Sequence, residues 1–182
     1  MRILGVDPGS SATGYGVVEF SGGRLRHIAH GVLRPRKGAA LASRLAEIHS
    51  GLVEVVAQHG ADLAAVERVF VASNPRSALV LGQARGAVLA ALAGSGLEVT
   101  EFAAREVKKA VVGTGAARKA QVQAMVTRLL ALEAEPPADA ADALAVAICQ
   151  AHGGRLAGLG VRRRRRSLRL AAVPSRLSRS PR

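Results

Sequence analysis

The sequence predicts an α/β fold: one mixed five-stranded sheet flanked by helices. Three observations lead to it. Apolar runs that read as strands come first as a group of three and then singly between helical stretches, an order that a mixed sheet with helices on its faces satisfies. Two short apolar runs end on a carboxylate, Asp7 and Glu67, as residues at the mouth of a strand do. The first long helical stretch carries its apolar residues at spacings of four, three, four and three, which is one face of a helix.

The elements follow in chain order. Ile3, Leu4 and Val6 form the first strand, closed by Asp7 and the turn formers Pro8, Gly9, Ser10 and Ser11. Tyr15 to Phe20 and Arg24 to Leu33 read as strands joined through Ser21-Gly22-Gly23, a hairpin signal. Leu41, Leu45, Ile48, Leu52 and Val55 define the first helix, ending near His59-Gly60. Leu63 to Val66 is a buried-looking strand before Glu67. Asn74 caps the next helix, with Pro75 at its first position. Within it Gly82, Gly86 and Ala90 lie four apart, a spacing expected to pack inside the domain rather than against a second copy. Leu97 to Phe102 is the fifth strand, followed by helical stretches at Ala103 to Val111 and Lys119 to Leu132. The last helix is expected from about Pro136-Pro137 to Gln150.

Length and composition constrain the class. At 182 residues the chain is the size of one domain, expected at 1–152. Cys149 is the only cysteine, so no disulfide forms within the chain. No secretory leader and no segment of membrane-spanning length is read, so a soluble, cytoplasmic protein is expected. The net charge of +13 is uneven: residues 1–152 hold sixteen Lys and Arg against thirteen acids, whereas 153–182 hold ten Arg and no acid. This end reads as a disordered basic arm that binds phosphates, with an import signal or a dispensable end as alternatives.

Asp139 and Asp142 stand three apart among alanines on the last helix. Three residues turn a helix by about 300°, so both carboxylates leave on one side. Two like charges so placed repel, and the N-terminal helix dipole offsets only part of that cost. A divalent cation would balance them: Mg²⁺ takes oxygen ligands, and two ions about 3.5–4 Å apart can clamp the attacking and leaving oxygens of a phosphodiester. Asp7 and Glu67 complete a set of four if their strands are adjacent.

In order and spacing, Asp7-Pro8-Gly9 with Thr13-Gly14, Glu67-Arg68-Val69-Phe70, Leu81-Gly82-Gln83-Ala84-Arg85-Gly86 and Ala138-Asp139-Ala140-Ala141-Asp142-Ala143-Leu144 resemble the RuvC family of Holliday-junction resolvases, over roughly Met1 to His152. The resemblance implies a ribonuclease-H-like fold, a homodimer, and Mg²⁺-dependent cutting of two opposed strands at a four-way DNA junction. It implies Asp7, Glu67, Asp139 and Asp142 as metal-binding catalytic acids around two Mg²⁺ ions, with Mn²⁺ as a substitute, and in-line hydrolysis of the phosphodiester. Lys108 and Lys119 match basic positions of the family, which implies that each holds a phosphate or offsets charge growing in the transition state; the plainer reading is a solvated lysine on a helix. Phe70 matches a residue that stacks on or wedges against a junction base; the plainer reading of Phe70 is a core anchor. Ser73 and Val80 stand where the family usually has lysine, and Arg76 can compensate. The branch-migration proteins RuvA and RuvB are the implied partners. Two further readings remain open from the residues alone: a junction-binding protein without nuclease activity, and an actin-like ATPase using the Asp7 to Gly14 loop as a phosphate cradle.

Overall fold

A computed structural model of the chain describes residues 1–68 and 74–158, the side chains of 154–158 excepted. The expected sheet is present. β1 (Arg2–Asp7), β2 (Thr13–Ser21) and β3 (Arg24–Leu33) form an antiparallel meander, and β4 (Leu63–Arg68) and β5 (Glu98–Ala103) continue it in parallel, giving the order β3-β2-β1-β4-β5. Gly22 and Gly23 make the β2–β3 turn with φ of 57° and 80°, a left-handed pair that glycine adopts without penalty.

Helices cover both faces. α1 (Leu41–His59) and α2 (Pro75–Gly94) pack on one face, and α3 (Ala104–Val112), α4 (Lys119–Leu129) and α5 (Ala138–Gly158) on the other. The strand period of two sorts the side chains: Leu4, Val6, Ala64 and Val66 join Ile48, Leu52, Val88 and Leu92 in one core, while Ile3 and Ala65 join Val126, Leu144 and Ile148 in the other. As expected, Asn74 caps α2, its side chain accepting from the Arg76 N–H at 2.9 Å. Gly60 ends α1 at φ 61°.

The seating of α5 positions everything that follows. On β1 and β2, Gly5, Gly14 and Gly16 face this helix, and each leaves room only for helix backbone or an adjacent side chain. A Cβ at Gly5 would run into the Ala143 carbonyl oxygen and stand 2.7 Å from the Ala147 nitrogen; one at Gly14 would run into the Asp139 carbonyl; one at Gly16 would stand 2.6 Å from Leu144 Cδ2. Ala140, Ala141, Ala143, Ala145 and Ala147 are buried along the helix, so small residues on both partners let the helix lie against the strands.

Three expectations are corrected. The last helix continues past Gln150 to Gly158, because Gly153 still packs near the Phe102 ring and His152 reaches the Ala110 carbonyl at 3.1 Å; residues 159–182, the bulk of the basic arm, lie outside the described residues. Gly82, Gly86 and Ala90 do not pack inside the domain. They lie on the exposed side of α2, a Cβ at either glycine meeting nothing within 4 Å, because the helix uses Ala84, Val88, Ala91 and Leu92 against the sheet instead. The same helix, 20 residues long with a mean hydropathy of 1.4 over its most apolar window, is long and apolar enough to cross a membrane by length and composition, contrary to expectation; it serves here as a core helix through its buried side.

Gly5→Ala is expected to lower the urea midpoint by the equivalent of about 1–3 kcal/mol or more, since backbone must yield. Gly94→Ala, at an exposed helix position with open space around it, is expected to raise it by about 0.5 kcal/mol. Equal midpoints for the two variants would contradict the close seating of α5.

Candidate active site

The acidic site grows out of strand register. Val6 pairs with Val66 across the parallel β1–β4 ladder, so Asp7 and Glu67 emerge side by side one residue later. Alternation puts Asp7 on the same face as Gly5, and Glu67 on the same face as Ala65, which is the α5 side. Asp7 also pairs with Gly14 of β2, and it is over Gly14 that the Asp139 carbonyl sits. The first two turns of α5 therefore bring Asp139 and Asp142 to the mouths of the two strands.

The electrostatics record this crowding. Burial, then the charges of Glu67, Asp142 and Asp139, push Asp7 up from 3.8 to about 7, against a smaller opposing pull from Lys119. Burial first and Asp142 second hold Glu67 above the usual carboxylate range, with Lys108 and Lys119 opposing. Lys119, the first residue of α4, donates from Nζ to Asp142 Oδ2 at 2.5 Å, and this bond raises its own pKa. Glu67, Lys108, Lys119 and Asp142 line a cleft of about 230 Å³ walled by Ala104, Val107, Val122 and Ala145. Among the described residues, no three His, Cys, Asp or Glu side chains are closed into a metal cage.

The predicted site residues thus divide. The four acids, Lys108 and Lys119 come together. Arg76, exposed on the first turn of α2, lies instead beside Ser10 and Val80 in a separate shallow recess near the loop that follows Asp7. Phe70 and Ser73 lie outside the described residues. Two features went unread in the sequence. Thr13 is a buried polar side chain of the core: its Oγ1 donates to the Gly9 carbonyl at 2.7 Å and accepts from the Gly9 N–H at 3.4 Å, pinning the loop behind Asp7. Arg85 forms an ion pair with Glu101 that ties α2 to β5. A threonine beside a glycine-rich turn, and an arginine in an otherwise apolar helix, were the available signals. Cys149 is buried as expected, which pushes its thiol up to about 12.

Residues 3–150 match the family model described as crossover junction endodeoxyribonuclease RuvC. The chain belongs to the RuvC family. Its relative in Burkholderia multivorans, a crossover junction endodeoxyribonuclease RuvC, is 51% identical over 174 residues, covering 93% of this chain and 96% of the relative. The Thermus thermophilus RuvC structure superposes with a TM-score of 0.78 at 34% identity, over 86% of this chain and 97% of that one. RuvC from the same organism in complex with Holliday junction substrate gives 0.81 at 33% identity, over 86% and 96%. The ribonuclease-H-like sheet expected for this RuvC-family chain is therefore present, and the actin-like ATPase reading is set aside.

An aspartate that titrates near 7 when folded and near 3.8 when unfolded keeps its proton only in the folded state across that interval, so its contribution to stability is full below about pH 4 and is lost as pH rises through 7. In chelator at pH 8, Asp7→Asn is expected to raise the melting temperature by several degrees, at about 2–4 °C per kcal/mol for a chain of this size. Near pH 4 the difference should vanish. A variant that melts with or below the wild type at pH 8 would contradict the crowding described.

Proposed function

We propose that this chain resolves four-way DNA junctions by paired, metal-dependent phosphodiester hydrolysis, with Asp7, Glu67, Asp139 and Asp142 as the acids that hold the metal. The observation that carries the reading is the crowding of the four acids, brought from two adjacent strand ends and one helix, with Glu67 and Asp142 lining a cleft that also bears Lys108 and Lys119. The donor set suits a hard cation: every candidate ligand is a carboxylate oxygen, and the mutual repulsion that raises Asp7 is what a divalent charge relieves. The Lys119 ammonium, now on Asp142, partly supplies that balance. Mg²⁺ is the ion proposed, two per site, with Mn²⁺ as a substitute; when bound it polarises the scissile phosphate and makes water nucleophilic at neutral pH.

The chain's own groups do the rest. Asp7 and Glu67 are held on rigid strand ends, and Asp139 and Asp142 on a helix whose position the glycine track fixes, so no loop has to be ordered to align them. Lys119 can leave Asp142 for a DNA phosphate and bring its positive charge to the phosphorane-like transition state, and Lys108 lines the same cleft to do likewise. Arg76, on the far side of the Asp7 loop, is placed to hold a more distant phosphate. Phe70 is proposed as the residue that stacks on a junction base.

Paired cuts call for two active sites, and α2 supports a homodimer. Leu79, 65% exposed, and the open row of Gly82, Gly86 and Ala90 form an apolar strip on which a second α2 could approach closely. RuvA and RuvB are the proposed partners in branch migration. A cytoplasmic setting fits a chain whose lone cysteine cannot form an internal disulfide.

A synthetic immobile four-way junction and a matched linear duplex, each with Mg²⁺ or EDTA, test the reading. Symmetric paired nicks on the junction alone are expected, absent in EDTA and with Asp142→Asn, and slowed roughly 10²–10³-fold by Lys119→Ala. Binding without cuts across several junction sequences would favour the noncatalytic alternative. Gly86→Glu is expected to sediment as a monomer and to lose the pairing of nicks; a wild-type sedimentation coefficient would remove α2 as the dimer face.

A further inference from the structure

A second recess lies away from the acidic cleft. It measures about 660 Å³ and runs between the edge strand β3 and the connection from α4 to α5. One wall carries His27 and His30, and the other carries Glu133 and Glu135. On a regular strand, residues three apart point to opposite faces. Here the β2–β3 ladder slips: Val17 pairs with Ala29 but Val18 pairs with His27, so Ile28 is an extra residue and the two histidines share a face. Their rings meet at a centroid distance of 4.9 Å and an angle of 53°, with His27 Nε2 2.8 Å from His30 Nδ1.

From this geometry we infer that His27 and His30 bind one borderline divalent cation of the Zn²⁺ class. Two neutral imidazoles in this arrangement have one proton to share and otherwise present lone pairs to each other. A cation replaces that proton. Two nitrogens at about 2.0–2.1 Å from a tetrahedral ion stand about 3.3 Å apart, so the nitrogens part by about 0.5 Å and the rings turn until both lone pairs face the ion. Half-burial and the neighbouring His30 hold His27 below the ordinary imidazole range, which keeps it in the neutral form that ligates. The cation Arg26 shares the recess but is engaged with Glu19, Nη2 to Oε2 at 2.8 Å.

Imidazole nitrogen selects Zn²⁺, Cu²⁺ or Ni²⁺ over Mg²⁺, so this site and the carboxylate cleft discriminate different ions. Among the described residues no third ligand is already closed onto the pair. The remaining positions fall to water and to Glu133 or Glu135, both exposed and neither in an ion pair among the described residues. Such an ion joins β3 to the segment that ends just before Asp139. Ala131, in that segment, holds a left-handed φ of 49°, a conformation unfavourable for alanine that a bridging ion would help maintain. The site therefore braces the connection that delivers α5.

The test is titration of the full chain with Zn²⁺ in excess Mg²⁺, read by calorimetry and by the ring resonances of its five histidines. One saturable Zn²⁺ is expected, shifting His27 and His30 while His49, His59 and His152 stay in place. His27→Gln and His30→Gln, singly, should each weaken binding by roughly tenfold or more. No saturable binding up to millimolar Zn²⁺, wild-type affinity retained in both variants, or shifts confined to the other histidines would each overturn the inference. The resonance measurement on the unaltered chain stands whether or not either variant folds.

Discussion

The structure depends on one contact: the backbone of α5 laid against the strands β1 and β2 with almost no side chain between them. Ordinary helix-on-sheet packing interposes a layer of branched side chains. Here Gly5, Gly14 and Gly16 open a path on the strands and six buried alanines lie along the helix, so the helix backbone, with Leu144 over Gly16, makes short-range dispersion contact with the strands. Close packing of this kind has little tolerance in position, which is why it can hold Asp139 and Asp142 beside strand ends fixed by hydrogen-bond register.

The cost of that precision is concentrated charge. Asp7 sits where burial and three carboxylates act in the same direction, and Lys119 answers only in part. A fold under selection for stability alone would have no reason to retain such a group, since a buried carboxylate lacking a partner is unfavourable. Its presence fits the proposed role of holding a positively charged ligand, and the all-oxygen donor set suits a hard ion. The histidine pair on β3 presents the opposite donor chemistry, and a single extra strand residue creates it.

Much of the fold was legible because local signals agreed with the global one. The glycine pair between β2 and β3, the cap and proline before α2, and the apolar stripe of α1 each have a local physical cause that tertiary packing did not override. The four acids were legible as a set because strand ends and an i, i+3 helical pair are themselves local patterns. The small-residue row of α2 was misread since spacing reveals that two surfaces can approach closely, but not which surface comes near. The end of α5 was misread because glycines at 153, 154 and 158 argued for termination, whereas packing against β5 and α3 carries the helix on.

By itself the sequence determined which local element each candidate site residue occupies, since turn preferences, helical period and strand period act over a few residues. Tertiary structure alone decided the shared cleft of Glu67, Lys108, Lys119 and Asp142, the displacement of Arg76 to a neighbouring recess, the clamp of Thr13 on Gly9, and the meeting of His27 with His30. These are contacts between residues brought together by strand register and helix seating, which depend on how all the elements fill one volume and not on any stretch of chain taken alone.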